Sequence, residues 1–147
     1  MNWETVLSAL DQQLACYQRL SKLAQIQHEH VQQGRTEELL EVLAQRQGVL
    51  DQIAVLETTI RPAKARWTEF IAEIPAEERG RAERLMAETR RLLEAITASD
   101  RNDSIVLQQR KFNIGRELGR ASAAKQVNRT YATAAYGKRP ASVDFSR

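Results

Sequence analysis

Two histidines, one cysteine and nineteen carboxylates are the groups in this 147-residue chain that could do acid–base, nucleophilic or metal chemistry. His28 and His30 flank Glu29. Residues two apart on a helix point about 200° away from each other. Two ligands to one metal need a spacing of three or four, as in His-x-x-x-His, so this pair points away from a metal site. Neither histidine has a Cys or Ser partner in a nucleophile pattern. A single cysteine, Cys16, excludes an internal disulfide framework and reads as a small, partly buried helix residue. The carboxylates are interspersed with Lys and Arg at helical spacing, the pattern of solvated ion-pair faces. No catalytic residue, metal ligand or cofactor motif stands out, so neither an enzyme nor a bound cofactor is expected.

Gly115 and Gly119 leave a Gly-x-x-x-Gly spacing, but their charged neighbours Arg116 and Glu117 remove the membrane-packing meaning of that motif. There is no phosphate-cradling glycine loop. The net charge of +3 is uneven: from Arg120 onward the chain carries +5, which leaves −2 on the rest. A basic tail of this kind suits nucleic acid, an acidic protein surface or simple solvation. It lacks the interleaved aromatics of RNA-binding segments, and the helices read below are too long for a compact helix-turn-helix. Nucleic-acid binding is therefore not expected.

The elements that would position any site are helical. Apolar residues make up 42% of the chain but aromatics only 5%, with three prolines, which suits narrow helix–helix seams better than a thick interior. From Trp3 to about Gln33 the residues Trp3, Leu7, Leu10, Leu14, Tyr17, Leu20 or Ser21, Ala24 and Val31 recur at threes and fours. Gly34 interrupts this stripe. Thr36 then offers an N-cap oxygen, and Glu37 and Glu38 complement the positive end of a second helix. That helix is expected from Glu37 to about Ile60, with the stripe Leu39, Val42 or Leu43, Arg46, Val49 or Leu50, Ile53, Leu56 and Ile60. So short a connection makes the two helices antiparallel neighbours.

Pro62 closes or kinks the second helix. Trp67, Phe70, Ile71 and Ile74 then mark a short amphipathic helix over 64–73, whose aromatic side packs over the open end of the hairpin. Pro75 precedes a third helix over 76–118, striped by Leu85, Leu92, Leu93 and Ile96. Asp100, Asn102, Asp103 and Ser104 make its middle polar, so it either continues or breaks near Asp100. The expected fold is all-α: a long antiparallel helical hairpin with a third long helix, an elongated bundle of three or four helices. A helical domain over 1–118 is followed by a flexible, disordered basic tail over 119–147. No apolar run approaches the ~20 residues needed to span a bilayer, and no secretory signal opens the chain, which reads as cytoplasmic.

The run from Val31 to Leu50, with Gly34, Thr36-Glu37-Glu38-Leu39 and Gln45-Arg46-Gln47 ahead of Val49-Leu50, resembles the hairpin turn of FlgN-type flagellar export chaperones. The long first helix and the overall size are similar to that family over residues 1 to about 60, and 76–118 follows in pattern. Tyr136-Gly137 followed by Ser142-Val143-Asp144 is similar to the tail of some members. The resemblance implies a chaperone that holds flagellar hook-associated proteins, the filament junction subunits, and delivers them to the export gate. It places partner binding on Ile105, Val106, Phe112, Ile114, Leu118, Val127 and Tyr131, and contact with the export gate on Tyr131 or Tyr136. Two other readings compete: an assembly protein that forms a homodimer through its hairpin stripes, and a nucleic-acid-associated helical protein using its basic tail.

Overall fold

A computed structural model describes the backbone of residues 2–131 and the side chains of residues 2–123. The protein is all-α, with α1 (Trp3–Gln33), α2 (Thr36–Ala65), α3 (Trp67–Glu73) and α4 (Ala76–Tyr131). Among the described residues there is no strand. Two compact units divide the chain, one ending at Asp103 and the other beginning at Ser104.

In the first unit α1 and α2 form the hairpin. Asn2 caps α1, its side-chain oxygen accepting from the Glu4 amide at 3.0 Å. The other end closes on Gly34, which sits in the left-handed region at φ 68°. The Gly34 amide donates to the Val31 carbonyl and the Arg35 amide to the His30 carbonyl, the paired bonds of a Schellman turn. Nothing lies within 4 Å of where a Cβ on Gly34 would stand. Its role is therefore conformational, not steric. Gly34→Ala is expected to cost about 1 kcal/mol, seen as a thermal midpoint about 3 °C lower with the helical content unchanged. An unshifted midpoint would show that the turn can relax out of the left-handed region.

Two expectations for α2 change. Thr36 is its first helical residue and not the cap. Arg35 occupies the cap position without a side-chain hydrogen bond, leaving Glu37 and Glu38 to complement the dipole. Pro62 lies inside the helix, which continues to Ala65. A proline so near a helix end forfeits one backbone bond in a frayed last turn. Burial of Ile60 and Ala63 on either side of it holds that turn in place.

The core of this unit is two clusters strung along the hairpin. At the open end Leu7, Leu10, Ile60, Phe70, Ile74 and Leu85 bring together residues of all four helices and the α3–α4 link. The short aromatic helix packs as its spacing suggests: Phe70 and Ile74 are buried, and the Trp67 and Phe70 ring centroids stand 5.3 Å apart. Farther along, Cys16, Leu20, Ala24, Val49, Ile53 and Ile96 form the second cluster. Gln13, buried between apolar neighbours, donates to Glu57 at 2.8 Å. Burial pushes the Glu57 carboxyl up, but the bonds from Gln13 and Lys64 outweigh it and leave the group below its ordinary value.

The α4 helix is unbroken through the polar run Asp100–Ser104 and continues past Gly119 to Tyr131. In the second unit residues 104–131 are thus helical, where a tail was expected from 119. The rest of that tail, from Ala132, lies outside the described residues, as does Tyr136.

Candidate partner-binding surface

The polar run in α4 is where the first unit ends, and its residues are tied to both helices of the hairpin. Arg46 of α2 grips Asp100 with both guanidinium nitrogens, each at 2.8 Å from a carboxylate oxygen. The same guanidinium also donates to the Gln27 side-chain carbonyl of α1. The Gln27 amide in turn donates to Asp103 at 3.2 Å, and His28 Nδ1 stands 2.7 Å from the other Asp103 oxygen. An ionised carboxylate only accepts, so the shared hydrogen lies on His28 Nδ1. Asp103 is 1% exposed, a buried carboxylate made tenable by these two donors and the nearby charge of Arg46. The hydrogen bond from Arg46 to Asp100 raises the Arg46 pKa further, against burial, which lowers it. The charges of Asp100 and Asp103 add to the rise.

This network does structural work. His28 is committed to Asp103, and among the described residues no group of three His, Cys, Asp or Glu side chains could hold a metal ion. Cys16 is buried, its sulfur within reach of Arg19 and Gln52. Among the described residues no helix is long and apolar enough to cross a membrane.

Beyond Asp103 the character of α4 reverses. Ile105, Leu107, Phe112, Ile114 and Leu118 are all exposed, Phe112 to 67%, and Val106 is half-buried. Five of the residues to which the family resemblance assigns partner binding thus lie on one helical stretch: Ile105, Val106, Phe112, Ile114 and Leu118. They do not make one patch. At about 100° per residue, Ile105 and Phe112 share one face, while Ile114 and Leu118, joined by Leu107, lie on another about 150° round the helix. Val106 falls between them. Val127 and Tyr131 belong to the backbone of α4, but their side chains lie outside the described residues.

A shallow open hollow lined by Ile105, Gln108, Gln109, Phe112 and Asn113 marks the first face. The Arg116 guanidinium stands 6.0 Å from the Phe112 ring centroid, a cation–π contact that keeps the face basic. The hairpin has exposed leucines of its own: Leu40, and Leu43 and Leu50, whose neighbours Val42 and Val49 take the buried positions that either of each pair could have filled. Comparison with protein-family models, with curated proteins and with solved structures finds no match to this chain.

Proposed function

We propose that this chain is a cytoplasmic type III export chaperone. It binds the amphipathic C-terminal helices of flagellar hook-associated proteins, keeps them from premature assembly and passes them to the export gate. The observation that carries the reading is the pair of exposed apolar faces on residues 104–123, in particular Phe112 at 67% exposure. Apolar side chains at sevenfold spacing on a charged helix suit an amphipathic helix laid alongside. Support also comes from the resemblance of residues 31–50 to the FlgN-type turn. Tyr131 and Tyr136 are the candidates for contact with the gate.

Calorimetric titration with the C-terminal helical regions of the hook-associated proteins tests the proposal. One-to-one binding at micromolar affinity or tighter is expected, weakened in a chain ending at Leu118. Phe112→Ala should weaken it about 10- to 100-fold, the loss of one large apolar contact. Phe112 is too exposed for its removal to unfold the helix. No heat and no co-elution with any of these clients would sink the proposal.

A further inference from the structure

A helix exposing apolar residues on a basic surface has a complementary surface within the same molecule. Along α2, Thr36, Leu40, Leu43, Gln47, Leu50 and Ala54 follow one another at alternating fours and threes, the seam of a coiled coil. Of these Leu40 is 62% exposed, and Leu43 and Leu50 about two-fifths. The positions flanking this seam on its outer side include Glu37 and Asp51, both exposed, and residues 36–45 hold three carboxylates and no cation. On α4 the first face has the same alternation: Ile105, Gln108, Phe112, Gly115 and Gly119. Lys111 flanks it on one side and Arg116 on the other. Residues 104–123 carry four cations against Glu117 alone, a net charge of +3.

We infer that residues 104–123 dock on the α2 seam of a second copy of this chain. Three features favour that occupant. The charges are opposite, whereas two 104–123 helices laid against each other would set +3 against +3. The spans match: Leu40 to Leu50 and Ile105 to Gly115 each cover about 15 Å of helix. The sizes interlock as well. No atom lies within 4 Å of a Cβ placed on Gly115 or Gly119, so both positions are uncovered within the chain and leave room for leucines from α2. Each copy carries both surfaces, so the contact closes into a dimer or, where the geometry does not close, extends to larger species.

The inference does not rest on the chaperone reading, and its test needs no client. Sedimentation velocity of the full chain across the micromolar range should show a mass above the monomer that rises with concentration and falls as salt is added. Lys111→Glu with Arg116→Glu should weaken the association at least about tenfold. Adding Glu37→Lys and Asp51→Lys to the same chain should restore it. Leu40→Ala with Leu50→Ala serves as the second variant: Leu40 is 62% and Leu50 40% exposed, so the hairpin should stay folded, yet the seam loses two apolar contacts and the association should again weaken at least about tenfold. A wild-type chain that stays monomeric throughout would overturn the inference. So would an association that neither the charge reversal nor the paired leucine truncation weakens.

Discussion

Arg46→Met is expected to lower the free energy of unfolding by about 3 kcal/mol, far more than an ordinary surface arginine would. Arg46 is placed against two carboxylates, Asp100 and Asp103, with only 12% of its side chain exposed. Methionine fills much of the same volume but leaves Asp100 without its partner, Asp103 without a neighbouring positive charge and the Gln27 carbonyl without its donor. The reciprocal change should be milder. Asp100 is 36% exposed, so Asp100→Ala leaves Arg46 still bonded to Gln27 and near Asp103, at a cost of about 1 kcal/mol. Urea unfolding of both variants, followed by circular dichroism, measures the difference. Equal costs for the two changes would mean that the guanidinium is better solvated than its surroundings indicate.

The second large effect is expected at Phe70. Phe70→Ala should cost about 3 kcal/mol, the usual range for emptying a buried aromatic site. The seven-residue α3 is too short to hold together alone. Phe70 is its buried anchor, packed between the residues of α1, α2 and α4 at the open end of the hairpin. Trp67, half-buried against the same cluster as Trp3, reports the outcome in a Trp3→Phe background. Its fluorescence should shift to the red under native conditions while the rest of the helical signal persists. A full-strength blue emission with an unchanged unfolding midpoint would show that Leu10 and Ile74 refill the space.

The helical hairpin was legible because its stripe and its interruption coincide: threes and fours up to Val31, a glycine at 34, then carboxylates ahead of a new stripe. Less legible were the polar residues at core positions. The stripe of α1 skips from Ala24 to Val31, and the residue that fills the gap is Gln27, buried by its bonds to Arg46 and Asp103. Likewise the polar middle of α4 left open whether the helix breaks there. Asp100 and Asp103 read as breakers only until their partners, some 54 and 75 residues away in sequence, are known. Pairings at that distance leave no local trace. The candidate surface was legible as a set of residues but not as faces: Phe112 and Ile114 are two apart, and two apart on a helix is nearly opposite.

The cross-links of the hairpin also set an order of assembly. Gln27 and Arg46 are 19 residues apart, Arg19 and Gln52 are 33 and Gln13 and Glu57 are 44, each contact lying one or two turns farther from Gly34 than the last. Once the turn has formed, each successive contact closes only a small additional loop, which adds little entropy cost. The hairpin can therefore zip outward from Gly34 at low contact order, as fast-folding helical proteins do. The contact of His28 with Asp103 spans 75 residues and stands at the far end of a second ladder, through Leu85, Ile96 and Asp100, that starts where α3 leads into α4. It belongs to the last stage, when α4 comes down on a hairpin already made.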